Sequence, residues 1–375
     1  MKPFLLSCLS VFLFFSCSES EDTQLQPNQI NISGKLFAPN NLDPISNAKV
    51  EAFKGATLTG NTATNNKGEY TISLPEGSYK LVLSKGLFST QQEITVTTDA
   101  TLDNYKLDIL PKIGVVTGNY DNIENVLYDI GLVNPITGEP LFDIIEGVNT
   151  NRIPYQSTPK HASHALSQNK NTVLNTQLSP NVAFDFSDLI SDPALLATYD
   201  IIFLNCGLNE SFESDDVNLL NYVTNGGFLY ATDWASGYLD SITNSGADYL
   251  TFLDPEKSGI SITTNATILS GDLNAWLLLN FGITIDDNIE INEFLSSWQV
   301  VDSYDSNTCI SWLNGPVTYN TNTGQVTANK DLAFTFAVGS GAVFYSSFHT
   351  ENTDQGFSDV DRIMEYLVFE MSDVE

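Results

Sequence analysis

The stretch YDIIFLNCG at residues 199–207 decides the fold of the longer part of this 375-residue chain. Its centre is a run of apolar residues between polar ones, and Gly207 ends it, a pattern typical of a buried parallel strand that enters a turn. Two further runs of this kind are KIGVVTG at residues 112–118 and GFLYATD at residues 227–233. Together the three runs predict a parallel sheet at the centre of a domain.

Helical patterns alternate with these strands. Residues 215–224 carry apolar side chains at helical spacing, and the Asn225-Gly226 pair after them is a signal for the end of a helix. The other expected elements are a helix over 122–130, strands over 332–338 and 341–348, and a last helix over about 360–371. This alternation predicts an α/β, flavodoxin-like doubly wound sheet, in which a site lies beyond the carboxyl ends of the strands.

The α/β domain is expected to cover residues 111–375. Within it, residues 245–327 do not follow the alternation and are rich in Asn and Thr. We interpret them either as insertions or as an antiparallel extension of the sheet.

The N-terminal part has a different pattern. Residues 30–108 contain short alternating apolar runs separated by turn residues, which predicts a small all-β sandwich. Its motifs are ISGKL at residues 32–36, TNNKGEY at 64–70 and LPEGSY at 74–79, and Gly68 permits the positive φ of a hairpin turn. The series resembles the carboxypeptidase regulatory-like domain, which implies a transthyretin-like fold without reacting groups. Two roles are open for it, a spacer and a weak glycan-binding module.

The first residues indicate the compartment. A largely apolar run over residues 3–16 suits a signal-peptide core and is too short to span a bilayer. The Ser16-Cys17 pair at its end resembles a bacterial lipoprotein signal, which implies that Cys17 carries lipid and anchors the protein. The alternative is an ordinary signal peptide cut near Ser20.

The residues after this signal are acidic. SESED at residues 18–22 resembles the short signal that sends lipoproteins of Bacteroidota to the cell surface. We therefore expect a signal peptide and lipidated Cys over residues 1–17 and a linker over 18–29. The expected location is the cell outer membrane, surface-exposed or periplasmic, and the lipid anchor makes the membrane a partner.

Composition excludes one class of partner. The chain has 15 Lys and Arg against 46 Asp and Glu, a net charge of −31, and no basic run, so nucleic acid is not expected as a ligand. Its hydrophobic content of 42% is too high for a disordered chain.

The Cys and His residues give no metal pattern. Cys206 and Cys309 remain after the signal, either as a disulfide or as two buried thiols, and their spacing does not suggest zinc. His161 and His164 lie three residues apart without a third ligand, so we interpret them as surface residues. No phosphate-binding glycine-rich loop is present, and we predict no metal and no cofactor.

Three predicted strand ends carry polar groups, at Asn205, at Asp233 and in FHTE at residues 348–351. The last motif resembles the class I glutamine amidotransferase-like fold, including its trehalose-utilisation-type members, in which a late Phe-His-Pro-Glu supplies His and Glu to a triad. The resemblance implies that His349 and Glu351 correspond to that pair. The nucleophilic Cys of the family falls on or beside Asp233, without the Gly context of a sharp elbow, and Cys206 lies one strand too early. The amidotransferase reaction is therefore not expected.

Two interpretations of this strand-end group remain. Asp233, His349 and Glu351 either act as catalytic groups, by general base chemistry or around a divalent cation, or only shape a polar pocket. Trp234 and Tyr238 offer aromatic surface for a sugar or are ordinary core packing.

We expect a surface-anchored lipoprotein that is a non-catalytic binding protein for a glycan or a protein partner, with Trp234, Tyr238 and Asn205 as the candidate binding residues. The alternative is a hydrolase or isomerase that acts on carbohydrate through Asp233 and its two partners. A purely structural role in the envelope is the third hypothesis.

Overall fold

A computed structural model describes residues 28–41, 44–129, 131–134, 136–148, 178–245, 249–281, 288–294, 296–348 and 359–370. It consists of an N-terminal β sandwich followed by an α/β domain with a mixed sheet, so the predicted fold class is confirmed. Within the described ranges, none of the helices has the length and apolar character needed to cross a bilayer.

The sandwich is formed by eight short strands. They are Ile30–Phe37 (β1), Lys49–Lys54 (β2), Thr57–Ala63 (β3), Glu69–Leu74 (β4), Gly77–Lys85 (β5), Phe88–Val96 (β6), Ala100–Thr101 (β7) and Tyr105–Lys106 (β8). One sheet has the order β4-β1-β7, with β8 also paired to β1, and the other has the order β3-β2-β5-β6. The predicted strands are present, and β3, with its polar sequence TLTGNTA, is an addition that the apolar pattern did not indicate.

The alternating pattern of β1 explains the packing of the sandwich. Ile32 and Leu36 point inward and are buried, while Ser33 and Lys35 are more exposed. Tyr70 of β4 lies directly across from Gly34, and a Cβ at Gly34 would stand 2.4 Å from the Tyr70 hydroxyl. Gly68 has φ +69° in the turn before β4, as its position in the motif predicted.

The α/β domain contains eleven strands and seven helices among the described residues. The strands are Ile113–Val116 (β9), Asp143–Ile145 (β10), Ile201–Leu204 (β11), Phe228–Thr232 (β12), Leu250–Phe252 (β13), Ile262–Ile268 (β14), Asn288–Phe294 (β15), Val301–Tyr304 (β16), Cys309–Thr321 (β17), Gly324–Val338 (β18) and Gly341–Ser346 (β19). The helices are Ile123–Asp129 (α1), Phe186–Ser191 (α2), Pro193–Leu196 (α3), Asp216–Thr224 (α4), Asp240–Thr243 (α5), Gly271–Phe281 (α6) and Asp359–Glu370 (α7). Two 3-10 helices cover Glu210–Asp215 and Asp233–Leu239.

The main sheet has a parallel half and an antiparallel half. Its order is β10-β9-β11-β12-β19-β18-β17-β14-β15, and the first five strands are parallel. In chain order these five read 2-1-3-4-5, which is the flavodoxin-like order. The next four strands pair antiparallel, so β14, β15, β17 and the start of β18, all within residues 245–327, form an antiparallel extension, one of the two interpretations left open by the sequence.

Helices cover both faces of the sheet, as a doubly wound fold requires. Helices α1, α6 and α7 contribute to one hydrophobic cluster, and α2, α3 and α4 to another. The buried side chains of β11 divide between the two, because Phe203 belongs to the first and Leu204 to the second. The sheet is thus buried on both sides, which explains the nearly continuous apolar runs in the sequence.

The two domains share a hydrophobic core. The same cluster contains the inner residues of the sandwich and those of α1 and α7. Phe88 of β6 packs edge-on against Phe369 of α7, with ring centroids 4.8 Å apart. Gly131 lies against Asn40, so closely that a Cβ at Gly131 would stand 2.2 Å from the Asn40 backbone. The sandwich is therefore fixed against the α/β domain.

Several sequence predictions lie outside the described residues, namely those on Cys17, the signal segment 1–17, most of the linker 18–29, His161 and His164. Of the two alternatives for Cys206 and Cys309, the structure shows two buried free thiols.

Candidate functional site

The carboxyl ends of β9 and β11 meet where the strand order reverses, which is the usual ligand position in such a sheet. Here the loops that follow the two strands pack against each other. The backbone N–H of Tyr120 donates to the Cys206 carbonyl at 3.2 Å, and Asn119 Nδ2 donates to the Gly207 carbonyl at 3.2 Å. A Cβ at Gly118 would stand 2.1 Å from the Cys206 carbonyl oxygen, so only glycine allows this approach. The crevice is filled by the protein's own loops.

A buried polar group lies beneath these loops, and we call it the strand-end cluster. Its members are Asp121, Glu124, Asn205, Cys206, Thr232 and Asp233, each at most 2% exposed. Asn205 Nδ2 donates to Glu124 Oε2 at 2.9 Å, and Thr232 Oγ1 donates to Asp121 Oδ2. The Cys206 backbone N–H lies 3.1 Å from Asp121 Oδ2 and 2.9 Å from Thr232 Oγ1. These bonds tie the ends of three strands together.

Asp233 occupies a sharp turn directly after β12. It has φ +43°, an uncommon conformation for a residue with a side chain, and it begins a 3-10 helix. The backbone therefore makes a sharp elbow at Asp233. The sequence lacks the flanking glycines of the family's elbow, so this turn was not expected. Asp233 Oδ1 accepts from the Gln299 backbone N–H at 2.6 Å, and Oδ2 lies 3.5 Å from Cys206 Sγ. Both carboxyl oxygens are therefore engaged within the protein.

The electrostatics of the cluster follow from burial. Loss of solvation raises the pKa of Asp233 to about 8, so its carboxyl group is largely protonated at pH 7. Burial, and after it the nearby carboxyl groups of Asp233 and Asp121, raise the pKa of the Cys206 thiol well above its usual value. A thiol in this state is not the thiolate that acyl transfer requires.

A second polar region lies beside the elbow and is open to solvent. This region, which we call the acidic pocket, has a volume of about 400 Å³. It is lined by residues of both 3-10 helices, of α5 and β13, of the loop after β13 and of the segment before β16. Among them are Glu210, Glu213, Trp234, Asp240, Lys257 and Gln299. Trp234 directly follows Asp233, so the pocket and the strand-end cluster share one turn of chain.

Lys257 and Gln299 organise the pocket. Lys257 Nζ lies 2.7 Å from both carboxylate oxygens of Glu210 and 4.4 Å from the centroid of the Trp234 ring. The Lys257 backbone N–H donates to Gln299 Oε1 at 2.7 Å, while the backbone of Gln299 binds Asp233. Gln299 thus connects the pocket to the elbow. Its Nε2 is buried and has no hydrogen-bond partner among the described residues.

Other acidic groups of the pocket are partly desolvated. Burial, and then the Glu210 carboxylate, raise the pKa of Glu213 above its usual value. Burial, and then the carboxylate of Asp216, raise the pKa of Asp240. Gly237 makes room for Glu213, since a Cβ there would stand 2.2 Å from Glu213 Oε1. The pocket therefore concentrates negative charge that Lys257 only partly balances.

The structure separates the predicted site residues. Trp234 is partly exposed and lines the pocket, whereas Tyr238 is fully buried, 5.1 Å from the Phe186 ring, with its hydroxyl bonded to a backbone carbonyl. Asn205 is buried in the strand-end cluster, so neither it nor Tyr238 presents a surface. His349 and Glu351 lie outside the described residues.

Sequence reasoning did not identify the acidic pocket. Glu210, Glu213, Asp240, Lys257 and Gln299 were not singled out, because they come from separate parts of the chain. One signal was available, the acidic ESFESDD at residues 210–216 directly after the strand end at Gly207.

Comparison with known proteins supports the first domain most directly. Residues 31–109 match the model of the carboxypeptidase regulatory-like domain. A solved 5-hydroxyisourate hydrolase of Klebsiella pneumoniae is similar at 19% identity, covering 21% of this chain and 85% of that chain, with a TM-score of 0.18. The predicted sandwich is thus confirmed by the family match.

For the longer part of the chain, similar solved structures have low sequence identity. A protein described as ThuA-like from Parabacteroides merdae is 12% identical and covers 70% of this chain and 88% of that chain, with a TM-score of 0.36. A cytoplasmic protein of Salmonella typhimurium is 10% identical over 90% of this chain and 98% of that chain, with a TM-score of 0.31. No curated protein matches the chain.

Proposed function

We propose that this protein is a lipoprotein, anchored through Cys17 on the cell surface, whose α/β domain binds a glycan without turning it over. The resemblance of residues 1–22 to a lipoprotein signal supports the anchor, and the sandwich links the anchor to the binding domain. The acidic pocket is the binding site in this proposal.

The observation that carries the proposal is the occupied elbow. The position where the amidotransferase-like fold presents its nucleophile holds Asp233, whose two carboxyl oxygens face the Gln299 N–H and the Cys206 thiol. Cys206 is 1% exposed and its pKa is raised, so the nearest thiol does not substitute. Among the described residues, this part of the domain presents no nucleophile to solvent.

The acidic pocket has the properties of a small-ligand site for a polar molecule. Its volume of about 400 Å³ lies within the range of roughly 300–1,000 Å³ common for ligand pockets. Carboxylates of Glu213 and Asp240 are acceptors for sugar hydroxyl groups, and Trp234 adds aromatic surface. A concave, polar lining favours a glycan over a protein partner, which usually meets a flatter surface with an apolar centre.

A glycan array with the full chain in detergent tests the proposal. We expect selective binding that is lost in Trp234→Ala and kept in Leu58→Ala, which removes an exposed side chain from the sandwich. If Trp234→Ala binds the glycan as well as Leu58→Ala does, the acidic pocket is not the binding site. A silent array, with a protein captured from the cell surface instead, would favour the protein-partner alternative.

An enzyme remains the second candidate, because one observation favours it. Asp233 combines a strained backbone with a raised pKa, features that cluster at catalytic groups. A hydrolase or isomerase acting through Asp233, His349 and Glu351 predicts turnover of the bound glycan. His349→Ala would then abolish turnover while the protein stays folded, and unchanged product formation would exclude this candidate.

A further inference from the structure

An aromatic ring stands at the usual ligand position of the sheet. Tyr120 belongs to the loop after β9, at the point where the strand order reverses. The loop fills the crevice but does not hide this ring, since Tyr120 is 37% exposed. The position at which doubly wound folds bind their ligands therefore presents an aromatic surface to solvent.

The surroundings of Tyr120 fix its position. Its backbone N–H donates to the Cys206 carbonyl at 3.2 Å. Its ring lies against Gly207, where a Cβ would stand 2.6 Å from Tyr120 Cδ2. Gly207 has φ +80°, a conformation that glycine adopts readily. A tyrosine side chain has only two torsions to order, so a ring held in this way loses little further freedom when it contacts a ligand.

Trp234 supports the Tyr120 ring. The two ring centroids are 5.8 Å apart and the ring planes meet at 71°. Trp234 Nε1 donates to the Ser297 carbonyl at 2.6 Å, and Lys257 Nζ lies over the indole ring, 4.4 Å from its centroid. The N–H and one face of Trp234 are therefore already engaged within the protein. Tyr120 offers the more exposed ring of the pair.

Tyr120 adjoins the acidic pocket without lining it. Trp234 lines the pocket, and the Tyr120 ring packs against Trp234. A sugar unit on Tyr120 would thus lie beside the pocket rather than within it. The distance between the two rings is comparable with the spacing of neighbouring pyranose units in a glycan, so one chain of sugars can reach both places.

We propose that Tyr120 is a second sugar-binding position, whose ring stacks on one pyranose unit of a glycan while the neighbouring unit occupies the acidic pocket. This inference rests on the proposed glycan-binding function and extends the ligand to at least two units. The face of an aromatic ring carries partial negative charge and favours contact with C–H groups. A pyranose with equatorial hydroxyl groups presents C–H groups on its face, so β-linked glucose units, as in cellobiose, have the required chemistry.

Isothermal titration calorimetry with the full chain in detergent tests the second position. The probes are glucose, cellobiose and cellotetraose, each used alone. Where another glycan gives the strongest signal on the glycan array, that glycan and its monosaccharide are used in the same way. We expect the disaccharide to bind about tenfold more tightly than the monosaccharide, because only the disaccharide reaches both positions. The gain from cellobiose to cellotetraose should be smaller, since one aromatic ring serves one unit.

Two variants of the same residue separate the ring from its hydroxyl group. Tyr120→Ala should remove the tenfold advantage of cellobiose over glucose, whereas Tyr120→Phe keeps the ring and should retain most of it. Ile136→Ala is the control, because Ile136 is 92% exposed on a loop of the same domain, and it should keep the full advantage. Circular dichroism checks that each variant is folded.

The outcomes separate this inference from the function on which it rests. Equal affinity for the monosaccharide and the longer glycans would overturn the second position and leave glycan binding in the pocket in place. No heat with any sugar, together with a silent glycan array, would overturn both. An unchanged advantage of cellobiose in Tyr120→Ala, or a loss in Tyr120→Phe as large as that in Tyr120→Ala, would also overturn stacking on this ring.

Discussion

The strand-end cluster and the acidic pocket lie on either side of one turn of chain, yet they differ in nearly every physical respect. The cluster is buried, tied by hydrogen bonds between three strand ends, and covered by the loop that contains Gly118. The pocket is open to solvent and has an excess of carboxylates. The contrast teaches that the usual ligand position of a fold can become structural while binding capacity lies beside it.

The largest expected effect on stability comes from displacing the loop that covers the strand-end cluster. Gly118→Ala places a methyl group 2.1 Å from the Cys206 carbonyl oxygen if nothing moves, so the loop must shift. We expect a loss of about 3 kcal/mol in the free energy of unfolding, measured by urea denaturation. Gly271→Ala, which has open space around the new Cβ at the start of α6, is the matched control and should change stability by less than about 1 kcal/mol. An equal effect of the two substitutions would contradict the tight contact.

The second effect concerns the proton on Asp233. Its pKa is raised from 3.8 to about 8 in the folded protein, so between these pH values the folded state binds more protons than the unfolded state. The stability from this group is therefore complete below about pH 4 and is lost as pH rises toward 8. We expect this pH-dependent loss in the free energy of unfolding to be on the order of 3 kcal/mol between pH 5 and 8, and Asp233→Asn should remove it. The control Glu93→Gln should leave the loss unchanged.

The measurement is the difference between the stability–pH slopes of the wild type and Asp233→Asn, obtained from urea denaturation at several pH values. Parallel slopes would mean that the carboxyl group of Asp233 titrates as an exposed one does.

A smaller effect is expected where the cluster's turn meets the pocket. Gly237→Ala brings a methyl group 2.2 Å from Glu213 Oε1, but that carboxylate is the end of a flexible side chain and can move. We expect a change of about 0.5 kcal/mol in the free energy of unfolding. Glycan binding should nevertheless weaken several-fold, because Glu213 is displaced. Loss of stability without loss of binding would make Glu213 a structural residue.

The smallest effect is expected at the ion pair of the pocket. Lys257 and Glu210 are about one-third exposed, at 30% and 37%, so their pairing contributes little to folding. Glu210→Gln should change the free energy of unfolding by about 0.5 kcal/mol, as measured by urea denaturation. A loss of stability as large as that expected for Gly118→Ala would mean that the acidic pocket contributes as much to folding as the strand-end cluster does.

The sequence predicted the parts of the fold in which apolar pattern and structure coincide. The runs around Ile201 and Phe228 became adjacent parallel strands, since strands buried on both faces need apolar residues at every position. Strands such as Thr57–Ala63 and Ile262–Ile268 were not predicted as separate strands, because their sequences are mainly polar and contain few large apolar residues.

The site was harder to predict than the fold. The position of Asp233 at a strand end followed from the pattern, but its positive φ did not, because neighbouring packing rather than a glycine sets that turn. The pocket combines Glu210, Lys257 and Gln299, which are 47 and 42 residues apart in successive pairs. Only the three-dimensional arrangement of the loops brings such residues together, and no local motif records it.

The shared core of the two domains has a consequence for the order of folding. Phe88 belongs to the N-terminal domain, but its ring contacts Phe369 of α7, which is synthesised after the rest of the α/β sheet. While the polypeptide is still being made, the sandwich can complete its strands yet keeps an uncovered apolar surface until helix α7 arrives. Helix α7 therefore covers an apolar surface of the sandwich, and deleting this helix should leave the first domain folded but prone to aggregation.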